Sequence, residues 1–284
     1  MSPTTSAVRA GARRGWIEFR NAMRAPEDLT YYVLGTVVFL VVMWLNRANE
    51  VEGAGISLAL LILPGVLAFT TMFSASYGLA TLVAAEREDG TLLRAKSVPH
   101  GMRGYVTGQS VRSSLEVAFN VVVLTVPATL IVPRLWSATG PADVLLLAAA
   151  LVLGLAACLP IGFAVGSVFR SPRAVGGWGM LVMGGLVLVS GVFVPAAQLP
   201  GWAQVLGQLT PMYWMGHLMR HAVLPESVVV VEIGEEWRTA EALGVLGLWA
   251  LVGVLLAPVL LRRMARRESG SVVAAGREKQ LQRV

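Results

Sequence analysis

Long apolar runs separated by short charged segments dominate the chain. The runs 29–46, 56–85, 113–133, 144–169, 174–194 and 242–261 are each close to the roughly 20 residues that cross a hydrocarbon core, and they predict six membrane-spanning helices. The second run, Ile56 to Ala85, would be about 45 Å long as a helix, so it must tilt, bend at Pro64-Gly65, or project into the cytoplasm. The fifth continues without charge to Met219, but Pro195, Pro200, Gly201, Gly207 and Pro211 break its second half into pieces too short to cross as one helix. Ahead of the first run, Val8, Ala12, Trp16, Phe19 and Met23 share one helical face, flanked by Arg9, Arg13, Arg20 and Arg24. That pattern predicts a helix within 1–28 lying in the membrane interface, with Trp16 at headgroup depth. It has no continuous apolar core with a cleavage-like site, so it does not read as a signal peptide.

The basic residues choose the topology. Six spans with a cytoplasmic N-terminus put 19 of the 23 Lys and Arg inside, leaving Arg47, Arg134, Arg220 and Arg238 outside. If the fifth run crossed twice, the basic tail 262–284 would lie outside, against that rule. One crossing near 174–194 is therefore expected to be followed by a re-entrant helical hairpin over 195–224, dipping into the outer leaflet and returning. Trp202, Tyr213 and Trp214 are expected at its interface, and Arg220 is expected to pair with a nearby carbonyl or carboxylate. The fold class is an all-α polytopic membrane protein in a single transmembrane domain, multi-pass in the plasma or inner membrane, with both termini cytoplasmic.

Composition supports the class. With 55% apolar residues, mean hydropathy +0.66 and 14% charged residues, the chain lacks the polar surface of a soluble globule. The net charge of +6 follows membrane sidedness, so nucleic acid is not an expected partner. Cys158 is the single cysteine, so no intramolecular disulfide exists.

The segment 86–104 stands out as a charged interruption between two long runs. The Gly90-Thr91 step allows a turn, after which Leu92 and Leu93 can lie on one side of a short helix ending near Pro99, the shape of a docking element. No G-x-x-x-x-G-K-[ST] occurs, so the chain has no P-loop and its energy must come from a partner or a gradient. A gradient-driven carrier needs ionisable groups at mid-membrane. Glu116, with Asn120 one turn on and Arg112 one turn before, comes nearest; it is either an interfacial carboxylate or part of a gate or substrate path. His217 and His221 have the i, i+4 spacing of zinc ligands, yet no H-E-x-x-H and no third ligand accompany them, so no metal is expected and hairpin anchoring explains them. Gly176, Gly177, Gly179, Gly184 and Gly185 permit close helix approach within one subunit, at a dimer seam or along a substrate path. A membrane-embedded enzyme and a channel or scaffold are the competing classes. Ser190 lies in no G-x-S-G, and no filter-like repeat is present.

Glu86-Arg87-Glu88-Asp89-Gly90-Thr91-Leu92 resembles the acidic E-x-E-x-G-T-L stretch after the second helix of type 2 ABC exporter permeases, the class that includes daunorubicin-resistance permeases. Leu188 to Pro195, then Leu199-Pro200-x-Trp202, Thr210-Pro211-x-Tyr213 and Arg220, are similar to that family's fifth helix and outer hairpin. Lys96 to Pro99 departs from the usual segment, and Pro225 to Glu241 is a longer outer loop than the core pattern. The resemblance implies a permease that is homodimeric or pseudo-dimeric and holds no cofactor itself. It also implies a separate cytoplasmic ABC-type ATPase binding ATP and Mg. The expected cargo is a hydrophobic or amphipathic drug, natural product or lipid. Glu86, Glu88, Gly90, Thr91, Leu92 and Leu93 would form the coupling element, with the two leucines filling a cleft on the ATPase. The two carboxylates would meet basic groups on that partner or on the N-terminal helix. Pro195, Pro200, Trp202, Pro211, Tyr213 and Arg220 would form the outer gate.

Overall fold

The computed structural model describes residues 3–51, 55–132, 135–136, 139–169 and 171–267. Arg134, Arg170 and the tail beyond 267 therefore lie outside the described residues. Ten helices account for the main architecture: α1 Pro3–Ala22, α2 Pro26–Leu45, α3 Leu58–Glu88, α4 Thr91–Ser97, α5 Gly101–Ile131, α6 Pro141–Val168, α7 Pro172–Val189, α8 Gly201–Gln208, α9 Pro211–Val223 and α10 Thr239–Arg267. Among the described residues the only extended pairing is one isolated bridge, Glu50 with Ser57.

Helix starts coincide with prolines. Pro26, Pro141, Pro172 and Pro211 stand in the first turn of α2, α6, α7 and α9, where a missing N–H costs nothing and φ is already helical. Asp143 accepts the Gly140 N–H at 2.8 Å, and Ser171 Oγ accepts the Ala174 N–H at 3.2 Å, satisfying donors that α6 and α7 leave open. Pro64 does not break α3, which runs on to Glu88. That helix instead carries a π-helical stretch at Phe73–Gly78, and α7 carries another at Val175–Gly179.

Five helices are long and apolar enough to cross a membrane: Leu58–Glu88, Gly101–Ile131, Pro141–Val168, Pro172–Val189 and Thr239–Ala257. The apolar stretch of α2, Tyr32–Leu45, is shorter. Helix α3 lies at the centre, mostly buried between α2, α5, α6 and α9. Helix α7 is the least covered, and Trp178, Leu181, Val182 and Leu188 stand exposed along it. Outward-facing apolar side chains on α2, α5, α6 and α10 fit a hydrocarbon surrounding rather than water.

Only part of the aromatic stripe of the N-terminal helix packs inward: Phe19 meets Phe119 of α5 edge-on, with ring centroids 6.3 Å apart. Trp16 is 52% exposed, while Gly11 and Gly15 face α5 so closely that a Cβ on either would stand 2.2 Å from the carbonyl oxygen of Gly104 or Gly108. Only glycine permits that backbone contact.

Candidate functional site

The segment 86–104 is divided among three helices. Glu86, Arg87 and Glu88 end α3, Thr91–Ser97 form α4, and Gly101 opens α5. Gly90 makes the first turn in the left-handed region at φ 83°, with Asp89 accepting the Thr91 N–H at 2.7 Å. The second turn falls at His100, also left-handed at φ 58°, after Val98 takes the extended conformation that a following proline requires.

Glu86 is buried inside the chain rather than offered to a partner. Its Oε1 accepts Arg14 Nη2 at 2.9 Å, and Gln109 Nε2 approaches its two oxygens at 3.1 and 3.0 Å. Glu18 engages Arg14 from one turn along α1, so two carboxylates share one guanidinium. Burial disfavours the Arg14 charge, yet Glu18 and Glu86 outweigh it and hold the pKa above its ordinary value. The Tyr105 hydroxyl lies beside Glu86 without completing a well-formed hydrogen bond to it. The buried carboxylate thus joins α1 and α5 to the C-terminal end of α3. Glu88, the last residue of α3, is half-buried.

Arg87 had no role in the sequence reading. It turns inward, and its Nη1 donates to the carbonyls of Gly166, Ser167 and Phe169 at 3.1, 2.9 and 2.7 Å. These are carbonyls that the end of α6 leaves unpaired, where a cation also meets the negative end of the helix dipole.

Leu92 corrects an expectation. It is 1% exposed, packed with Leu79, Val83, Tyr105 and Phe163, so it cannot fill a cleft on another protein. Leu93 is half-buried, and Arg94, Lys96, Ser97, Val98, Pro99 and His100 form the exposed surface of the turn. Alternating charge and a glycine turn announce a boundary, but they do not fix which face of a two-turn helix points inward.

On the opposite side, the segment 195–224 forms a short 3₁₀ turn at Ala196–Gln198, then α8 and α9. Pro195 and Pro200 precede the first two elements, and Trp202 is exposed. Tyr213 and Trp214 are buried within the protein: the Trp214 indole N–H reaches the Gln208 carbonyl at 2.6 Å, and Arg238 lies over its ring. Arg220 does find a carboxylate. Its Nε and Nη2 both bond Glu232, the latter at 3.2 Å, and both residues are buried. Burial alone would raise the Glu232 pKa, but Arg220 and a hydrogen bond from His217 override it and hold the carboxyl at about 2.

His217 closes this cluster. Its Nε2 accepts the Arg238 backbone N–H at 3.2 Å, which leaves the ring proton on Nδ1 to be donated to Glu232 at 2.7 Å. His221 bonds Thr239 at 2.8 Å and stacks on Trp237. Both histidines anchor the hairpin, and among the described residues no group of three His, Cys, Asp or Glu side chains could hold a metal. The 225–241 segment is accordingly no open loop: Val228, Val231 and Glu232 are buried beneath two 3₁₀ turns. Glu232 escaped the sequence reading, although an arginine in an apolar hairpin with several glutamates nearby was a usable signal.

Glu116 is paired with Arg112 at 2.8 Å, and Asn120 donates to the Glu116 backbone carbonyl, so each is satisfied within α5. Between the two ends, α3 carries an aromatic column. Phe69, Phe73 and Tyr77 follow at one-turn intervals with ring centroids 5.5 and 4.8 Å apart, and Phe193 and Phe39 extend it outward. These α3 rings are half-buried, on the side approached by α2 and α7.

Residues 14–224 match the family model described as ABC-2 type transporter. No curated protein matches the chain significantly.

Proposed function

Because the chain belongs to the ABC-2 type transporter family, and is therefore the membrane-embedded permease of an ABC transporter, we propose that it exports a hydrophobic or amphipathic molecule from the cytoplasm or inner leaflet. The half-exposed aromatic column from Phe193 to Tyr77 carries this reading. Aromatic faces without fixed charge suit an apolar cargo and repel none by desolvation of a buried ion. Drugs, secreted natural products and lipids share that chemistry.

The remaining parts fit one machine. Helix α2 supplies the first of six spans, both termini face the cytoplasm, and α8 and α9 dip into the outer leaflet to close the exit. A second copy covers the bare face of α7, where Gly177, Gly184 and Gly185 have open space beside them. A separate cytoplasmic ATPase binds ATP and Mg and acts through 86–104, with Glu86 holding the moving helices together from inside.

Co-reconstitution tests the proposal. The permease and its copurifying ATPase, placed in vesicles with the ATPase outward, should take up an amphipathic dye only with hydrolysable ATP. Replacing Phe73 and Tyr77 by Ala should change the dye preference. Uptake without ATP, or dye flux in the opposite direction, would overturn it.

A further inference from the structure

Helices α3 and α7 both leave regular α-winding, and they do so where they meet. The π-helical stretch Phe73–Gly78 of α3 carries Tyr77, and the stretch Val175–Gly179 of α7 carries Val175 and Gly179. A Cβ built on Gly179 would stand 3.0 and 3.1 Å from Cδ2 and Cε2 of the Tyr77 ring. Val175 is fully buried with Ala80 and Ala84, and Tyr77 packs on that cluster. Phe73 lies against the same ring, with centroids 4.8 Å apart. Tyr77 therefore sits in a slot whose α7 wall is a glycine. Gly176 and Gly177, in the same stretch, have open space beside them, so of its three glycines only Gly179 faces a side chain.

The winding of α3 contributes to that seat. In an α-helix a residue leads the one four positions before it by about 40°, whereas a π-turn takes more residues to close and cancels that lead. Tyr77 is thus brought back over Phe73, and the centroid spacing tightens from 5.5 Å between Phe69 and Phe73 to 4.8 Å between Phe73 and Tyr77. The backbone behind the ring is held. A Cβ on Gly162 of α6 would lie 2.7 and 2.9 Å from the carbonyl oxygens of Ala75 and Ser76, and Ser76 Oγ donates to the Cys158 carbonyl at 3.0 Å.

We propose that Gly179 is a positioning residue of the permease: it leaves the slot that holds the Tyr77 ring back, and so sets how broad an apolar molecule can pass the aromatic column. The inference rests on the reading of that column as the cargo path. A methyl group at position 179 has to displace something. With α3 fastened to α6, and with Phe73 and the Val175 cluster against the ring, the ring yields towards its half-exposed side and narrows the path. One methyl in an apolar site changes selection by about tenfold or more. Plain helix packing, the competing role for a glycine between two helices, changes stability and leaves preference untouched.

The test uses full-length permease with its copurifying ATPase in vesicles, and reads the stimulation of ATP hydrolysis by two uncharged dyes, broad fused-ring Nile red and slender diphenylhexatriene. In Gly179→Ala the half-maximal concentration of Nile red should rise about tenfold while that of diphenylhexatriene changes less than about twofold. Gly244→Ala, which adds the same methyl to α10 in open space, should leave both as in wild type. Val175→Ala enlarges the slot from behind and should shift the ratio of the two dyes the opposite way, which keeps the test decisive if Gly179→Ala does not assemble. Adding Gly179→Ala to Tyr77→Ala should change nothing further, because the ring it displaces is gone. A wild-type ratio in either Gly179→Ala or Val175→Ala, or effects of Gly179→Ala and Tyr77→Ala that simply add, overturns the positioning role and leaves the permease reading standing. If neither dye stimulates ATP hydrolysis by the wild-type complex, the reading of the column as a cargo path falls, and this inference with it.

Discussion

Arg14 Nη2 stands 2.9 Å from Glu86 Oε1, so the N-terminal helix is fastened to the end of α3 by a carboxylate that water barely reaches. The two partners are unequal, because Arg14 keeps more than a third of its side chain exposed and Glu86 does not. Arg14→Ala strands a buried charge and should destabilise the permease by about 1–3 kcal/mol. Glu86→Gln, which keeps the shape and frees a guanidinium that can hydrate, should cost less. Thermal unfolding of the two variants in one detergent measures the order.

Arg87 is expected to behave as a cap rather than a surface charge. Removing it leaves the Gly166, Ser167 and Phe169 carbonyls short of a donor, a loss of about 1–3 kcal/mol. Arg87→Lys should recover part of it, and hydrogen exchange at the C-terminal end of α6 should rise in Arg87→Ala while the N-terminal end is unaffected. Equal exchange in all three proteins would remove the cap.

The Glu232 carboxylate gives the outer cluster an acid limit. Its folded-state value of about 2 lies below the ordinary value of about 4.3, so its stabilisation is complete above that pH and is lost as pH falls towards 2. Unfolding temperatures should decline through this window in wild type and decline less in Glu232→Gln. At neutral pH Glu232→Ala should cost about 3–5 kcal/mol, since Arg220 stays buried without its partner.

Leu92 and Leu93 should separate cleanly. Leu92→Ala opens a cavity in a packed cluster and should destabilise the isolated permease by about 2–5 kcal/mol. Leu93→Ala, at a half-buried position, should cost well under half of that. The comparison needs no ATPase, only melting curves of the two purified variants.

Sidedness is checked with single cysteines at Ser97 and Glu236 in a Cys158→Ala background. Both positions are exposed, and Cys158 is buried. An impermeant maleimide added to whole cells should label Glu236→Cys alone, and Ser97→Cys only after the membrane is opened. Labelling of both from outside would contradict the six-span arrangement.

The helices were legible in the sequence because membrane burial writes itself as length and as absence of charge, and prolines mark their starts. Polar pairing was less legible. Arg220 announced that it needed a partner, but Glu232 lies in a segment with several other glutamates, and nothing local singles it out. Glu86 with Arg14 and Arg87 with the end of α6 join positions 72 and 79 to 82 residues apart, and periodicity within one helix carries no information about such distances. The facing of α4 was lost for a related reason. In two turns of helix, Leu92 and Leu93 are consecutive and equally apolar, so only the tertiary position of α3 and α5 decides which one is enclosed.

The glycine contact between α1 and α5 has a mechanical meaning. Side chains between two helices act as compliant spacers, since each can change rotamer when the helices shift. At Gly11 against Gly104 and Gly15 against Gly108 there is no spacer, and backbone meets backbone. The first turns of α5 and the body of α1 should therefore turn as one stiff lever, and a push applied at the α4–α5 turn should reach the exposed Trp16 without being absorbed on the way.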